Sequence, residues 1–263
     1  MDPEEHLEQL ETPSIPPSPA KPDPQVWRRV RLLAHNPTAA AATLVLVFWL
    51  VIAIIGPAIA PYGTDEISSG AVWKAPSAAH LMGTDHLGRD IFSRLLVGAR
   101  QMVLLPTLSV SLALFLGTSI GLLAGYRGGW IDEIIVRMMD VMMAFPMIML
   151  YLMIIVSIGA SAVNVVIALG IGTTPGVSRL VRGLVLDLRN REYVAAAKMR
   201  GESGWYIMFH EILPNALGPI LVDGLVRIGY ACFSMGALGF LGLGCRRQIR
   251  TGGRWSARRG RHW

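Results

Sequence analysis

Cysteine is almost missing from this chain: the two present among 263 residues, Cys232 and Cys245, give neither a disulfide framework nor a metal-ligand spacing. Charge is scarce too. Asp, Glu, Lys and Arg make up 16% of the residues against 52% apolar, too few to clothe an ordinary soluble domain, so the membrane is the expected solvent. There is no GxxxxGK[ST] run, nucleophile elbow or zinc-ligand pattern. That excludes a chain that hydrolyses ATP by itself or does covalent chemistry, and it leaves no cofactor or metal to expect. A net charge of +6 invites a nucleic-acid reading. Seven of the 24 bases, however, lie between Cys245 and Trp263, a stretch without an acid, and elsewhere 17 bases face 18 acids. With that near-neutral remainder, the footprint of a nucleic-acid binder is gone.

What is present is a series of long uncharged runs. Thr38 to Ala60 holds 23 residues without a charge, which as a helix measures roughly 35 Å and crosses a hydrocarbon core of about 30 Å. A second helix is expected over Gln101 to Tyr126, its start kinked by Pro106. Gly117, Gly121 and Gly125 recur every fourth residue within it, a face for close helix packing. Val141 to Ser178 is too long for one crossing and splits near Gly159 to Asn164 into a third and a fourth helix. The fourth is expected to be interrupted by Gly170, Gly172, Thr173, Thr174, Pro175 and Gly176. A fifth runs from about Asn215 to Gly239. The fold class expected is therefore all-α, a polytopic membrane helix bundle of about five crossings.

The flanks set an orientation. Arg28, Arg29 and Arg31 precede the first helix, Arg127 and Arg137 lie between the second and third, and six bases occupy Arg179 to Arg200, so these loops are expected in the cytoplasm together with the amino terminus. The loop from Pro61 to Arg100 is then outside, although Lys74, Arg89, Arg94 and Arg100 count against it. Residues 1–31, with seven of the sixteen prolines, all before Val26, are expected to form a disordered cytoplasmic arm.

Three stretches carry more than hydropathy. EYVAAAKMRGESGWYIMFHEILP, Glu192 to Pro214, is a long polar run between apolar ones. Ala195, Ala196 and Ala197 predict a short helix with a nearly bare side that a partner can approach, Asn190 its cap, Glu192 in its first turn and Gly201 at its end; Pro214 suits the first turn of the next helix. HLMGTDHLGRD, His80 to Asp90, places Gly83, Thr84, Asp85 and Gly88 in a tight turn and lets Asp90 start the following helix; His80, His86 and Asp85 do not make a metal set. GYRGGWIDEIIVRMMDVMMAFP, Gly125 to Pro146, sets Arg137 and Asp140 three apart and offers Pro146 as a kink.

These stretches resemble the permease subunits of ATP-binding-cassette importers of the dipeptide, oligopeptide and nickel type, in particular their C-type subunit. Ala196, Ala197, Gly201, Leu213 and Pro214 match the family's EAA loop. The family's Glu falls on Ala195 and its Ile on Glu211, while Glu192 reproduces the variant typical of peptide permeases. Gly83, Thr84, Asp85, Gly88, Arg89 and Asp90 match the signature before the second helix, and similarity covers most of Leu32 to Gly244. The resemblance implies a type I importer permease fold, 32–244, in the multi-pass setting of a bacterial cell membrane. It further implies a coupling loop at 190–214, two ABC ATPase subunits bound at such loops of this chain and of a homologous second permease, an extracytoplasmic solute-binding protein and a peptide-like solute. A self-contained channel or secondary transporter is the alternative, and it needs an ion site and inverted repeats.

Asp223 and Arg227, one turn apart in the fifth helix, are expected to pair because a lone charge in the bilayer is costly. With Met142 and Met143, from a run holding seven of the thirteen methionines, they are the candidates for the translocation path. From Cys245 the chain departs from the family, where relatives have a sixth helix. The basic tail 245–263 is expected to be a frameshifted carboxyl terminus, leaving a truncated relative with a weakened assembly as a further alternative.

Overall fold

The computed structural model describes residues 36–64, 66–67 and 71–241. The expected arm at 1–31 and the basic tail at 245–263 lie outside the described residues. Two compact units divide the chain, Met1–Val51 and Ile52–Trp263. The described part of the first begins at Asn36, whose carboxamide oxygen accepts from the Thr38 N–H at 3.3 Å and its hydroxyl at 2.7 Å, fixing the start of helix α1, Pro37–Ile59. No charge interrupts α1, whose Thr43 hydroxyl donates back to Ala39 O at 2.8 Å, and it is long enough to cross a bilayer.

In the second unit α2 covers Ile91–Arg127, α3 Gly129–Met143, α4 Met147–Ile158, α5 Ala162–Leu188, α6 Glu192–Met199 and α7 Gly204–Phe240. No strand occurs among the described residues, only an isolated bridge between Thr84 and Asp90. Four helices, α1, α2, α5 and α7, are long and apolar enough to cross a membrane, and the pair α3 and α4, bent by 90°, makes up to five. The expected third helix is thus a broken one. Pro146, which cannot donate a helical N–H, ends α3 at Met143 and starts α4 afresh.

Helices α2 and α5 are welded along the glycine face. A β-carbon at Gly117 would meet Val177 Cβ at 2.6 Å, at Gly121 Val181 Cβ at 2.8 Å, and at Gly125 Val185 Cβ at 2.8 Å. Each pair is 60 positions apart, so the two helices run parallel, and the chain between them has to return across the same thickness. That return falls to α3 and α4. Val177, Val181 and Val185 join Leu122 and Ala113 in a core that also takes in Val194 and Ala197 of α6 and Ile207, Met208 and Ile212 of α7. A second core, at the other end of the weld, gathers Val110, Tyr151, Ile155, Val165, Leu169 and Leu238.

Two expectations about α5 and α7 need correction. Gly170 through Gly176 do not interrupt α5, because the missing side chains are filled by neighbours: Leu112 lies against Gly170, Tyr151 against Gly172 and Arg227 against Gly176. Helix α7 starts at Gly204, well before Asn215. Its stretch Ile207–Ile212 is a π-helix in which the Leu213 N–H reaches Met208 O; this wider turn makes room ahead of Pro214, whose ring would clash with a carbonyl four residues back. In α2 Pro106 leaves Met102 O without its helical donor, and the Cys232 thiol of α7 approaches it at 3.5 Å.

Candidate functional site

Between α5 and α7 the chain makes the short helix α6. Its first turn carries Glu192, while its cap is Arg191 without a side-chain bond. Asn190 is not that cap; its amide donates back to Leu186 O at 3.1 Å, closing the end of α5 instead. At the far end Gly201 adopts φ +79°, the Gly201 N–H returns to Lys198 O at 3.0 Å and the Glu202 N–H to Ala197 O at 3.2 Å, a Schellman closure that a residue with a β-carbon would strain. Glu211, which stands where the EAA pattern has Ile, holds Arg200 at 3.2 Å across this turn.

The three alanines do not form one bare face. Ala197 is fully enclosed with Val194 in the core against α5, Ala196 is half-buried, and only Ala195 is exposed. Outward side chains beside it are larger: Met199 is 84% exposed and Trp205 58%, with Trp205 stacked on Phe209 at 5.9 Å and Tyr206 on His210 at 4.6 Å. Leu213 is half-buried and Pro214 exposed at the π-to-α junction. Sequence reasoning missed these aromatics, although Trp205 and Phe209 are spaced four apart in WYIMF.

At the other end of α2 the 80–90 stretch is tied into itself. Gly83, at φ +75°, brings its α-carbon so close to Lys74 O that a β-carbon would lie 2.5 Å from it. Thr84 donates its hydroxyl to Ala71 O and accepts from the Lys74 N–H at 2.9 Å. Asp85 accepts from the Leu87 N–H at 2.8 Å, the Arg89 N–H at 3.0 Å and the Arg89 guanidinium at 2.8 Å, while the Gly88 N–H closes onto Asp85 O. Burial pushes the Asp85 carboxyl up, but these donors outweigh it and bring it down to about 2.

Asp90 caps α2 with one oxygen, which accepts from the Ser93 N–H at 2.8 Å and its hydroxyl at 2.7 Å. Its other oxygen lies 3.0 Å from His80 Nδ1, and both side chains are buried. Burial raises the Asp90 carboxyl; the Ser93 and His80 bonds more than offset that and hold it below the usual range. His80 is thus a fastening for the turn, and no group that could hold a metal ion occurs among the described residues.

Asp223 and Arg227 do meet: Nε lies 2.5 Å from Oδ2, both side chains about one-fifth exposed, midway along α7. Met142 is half-buried and Met143 exposed at the end of α3, beside the bend. Among the described residues, the hydrogen bond and ion pair at Asp223 and Arg227 join those two to each other and not to either methionine. Arg137 bonds to Glu133 at 2.6 Å rather than to Asp140. Asp140 instead pairs with Arg179, and Asp132 takes a two-pronged bond from Arg182, Nε to Oδ1 at 2.5 Å and Nη2 to Oδ2 at 2.6 Å. These two ties between α3 and α5 join residues 39 and 50 positions apart, and nothing local in the sequence announces them.

Similarity to known proteins agrees with this architecture. Residues 117–254 match the family described as the binding-protein-dependent transport system inner membrane component, and residues 25–76 the N-terminal TM domain of oligopeptide transport permease C. The first match runs past Gly244 into the basic tail. The chain is 40% identical to the dipeptide transport system permease protein DppC of Alkalihalophilus pseudofirmus, covering 92% of this chain and 81% of that one. It is 39% identical to the glutathione transport system permease protein GsiD of Pectobacterium atrosepticum, covering 84% and 73%. To the probable D,D-dipeptide transport system permease protein DdpC of Escherichia coli it is 37% identical, again over 84% and 73%. With its parallel helix weld, its bent pair and a match over more than half its length, the chain belongs to the family of inner-membrane permease components of binding-protein-dependent ABC importers.

Proposed function

We propose that this permease subunit carries peptides or chemically similar small solutes across the cell membrane of a bacterium, with its amino terminus in the cytoplasm. Dipeptide and glutathione permeases among its relatives support that cargo class. Energy comes from two ABC ATPase subunits, a homologous second permease completes the pathway, and an extracytoplasmic solute-binding protein delivers the solute. Asp223 and Arg227 serve the pathway as an intramembrane ion pair, and Met142 and Met143 line it near the bend, where their flexible side chains accommodate varied cargo.

One observation carries the coupling part of this reading. Helix α6 is fastened into the permease through Val194 and Ala197, whereas Ala195, Met199, Trp205 and Phe209 stand outward as an apolar ledge. A Met and two aromatics around a small-residue gap are the composition of an interface centre. Glu192, Ala196, Gly201, Leu213 and Pro214 shape that ledge. The test is copurification of the ATPase subunits with Ala196→Glu and Met199→Asp permeases, together with ATP-driven peptide uptake in vesicles. Loss of both ATPase subunits from an otherwise folded permease is expected; undiminished copurification and uptake in both variants overturns the dock.

A further inference from the structure

The polar ties between α3 and α5 serve a purpose that packing does not explain. No residue of α3 is buried, and the helix is set between two breaks, a turn at Gly128 and Gly129, with φ +64° and +57°, and the 90° bend before α4. Helices α2, α5, α6 and the start of α7, by contrast, share one closed core, so a displacement of α6 moves them together. Ile131, Ile135, Val136 and Met139 are only half-buried on α3 and none is enclosed, so the angle of this lever to α5 is set chiefly by its polar attachments. Those are Asp132 to Arg182, less than one-third exposed and two-pronged, and Asp140 to Arg179, about half exposed. Asp132 and Asp140 stand two turns apart on α3, and Arg182 and Arg179 one turn apart on α5, so the two bonds fix both the position and the angle of the lever. Below them Arg189, at the end of α5, donates to Gly125 O at 2.9 Å and closes the last turn of α2, so the arginines of α5 meet the polar side of the weld in sequence.

We propose that Asp132 and Arg182, assisted by Asp140 and Arg179, are the coupling joint of the permease: positioning residues through which movement of α6 reaches α3 and, past the bend, α4. This rests on the importer reading given above. The joint stays engaged through the cycle, because a two-pronged arginine–carboxylate bond resists rotation as well as separation. Breaking it leaves the ATPases running and the pathway unmoved.

The experiment uses the whole complex in vesicles, with ATP hydrolysis and peptide uptake measured side by side. Asp132→Asn is expected to keep hydrolysis within about twofold of the starting complex while uptake per ATP falls about tenfold or more. Arg182→Lys, which keeps the charge and loses the fork, is expected to fall between them. A second readout follows the joint directly. With Cys232 and Cys245 replaced by serine, spin labels at positions 134 and 183 report the α3–α5 distance; residue 183 is a glycine with open space around it. One narrow distance through the ATP cycle is expected in the starting complex, and a broadened one in Asp132→Asn. Uptake per ATP unchanged in Asp132→Asn, hydrolysis collapsing with uptake while the subunits remain assembled, or a distance that does not broaden each overturns the joint. A starting complex that imports no peptide refutes the cargo reading instead, and the distance measurement still decides the joint.

Discussion

Arg227 rests its guanidinium on the bare α-carbon of Gly176, where a β-carbon would lie 2.8 Å from Nη1 and 3.2 Å from Nη2. The absent side chain on α5 is what lets the α7 ion pair sit against the neighbouring helix. Gly176→Ala is therefore expected to push the arginine aside and to lower stability by about 1–3 kcal/mol, the usual cost of overpacking. Thermal unfolding of the purified permease in detergent measures it, and an unchanged midpoint would show that Arg227 has another place to go.

Asp223 and Arg227 are expected to lose more singly than together. Either change to alanine leaves one charge in an apolar helix without its partner, whereas removing both does not. A double-mutant cycle on stability should return a coupling of about 1 kcal/mol or more; additive losses would give each residue its own separate role.

The α2–α5 weld predicts a contrast between two glycines of the same helix. Gly121→Val puts a side chain where Ser178 O is already 2.5 Å from the would-be β-carbon, while Gly98 has nothing within 4 Å. Membrane abundance of the Gly121 variant should drop severalfold, with a destabilisation of at least about 1–3 kcal/mol, and Gly98→Ala should behave as the starting protein. Equal abundance of the two would refute close parallel packing.

Asp85 gives a pH window. Its carboxyl sits at about 2, below the ordinary 3.8, so its contribution to stability is complete above roughly pH 4 and is lost as pH falls through about 2. Asp85→Asn should cost about 1–3 kcal/mol at neutral pH and flatten the acid end of the stability curve. Unfolding midpoints of both proteins between about pH 5 and 2 test the sign; parallel curves would remove Asp85 from the account.

Much of this was legible because it is local. Gly117, Gly121 and Gly125 declare a packing face by their spacing, Asp90 sits where a cap is needed, Pro146 stands at a break between two helices, and Asp223 meets Arg227 across a single turn. What failed depends on partners far away in sequence. Gly170 to Gly176 read as an interruption because Leu112, Tyr151 and Arg227, which fill their places, come from three other helices. Ala197 looked free because Val194 and the core around it are assembled only in three dimensions. The Asp132 and Arg182 bond was invisible for the same reason, and Asn190 had two helix ends to choose from and serves the earlier one.

The constant offset of 60 residues between the welded positions of α2 and α5 also sets a timetable for synthesis. At about 5–20 residues per second a ribosome needs roughly 3–12 s to make the second half of that contact after the first. Throughout this interval the glycine strip of α2 is already in the bilayer and open to any other small-faced helix, including the α2 of another nascent copy. Slower translation between residues 126 and 176 would lengthen that exposure, so a codon change that alters no amino acid could change how much correctly folded permease reaches the membrane.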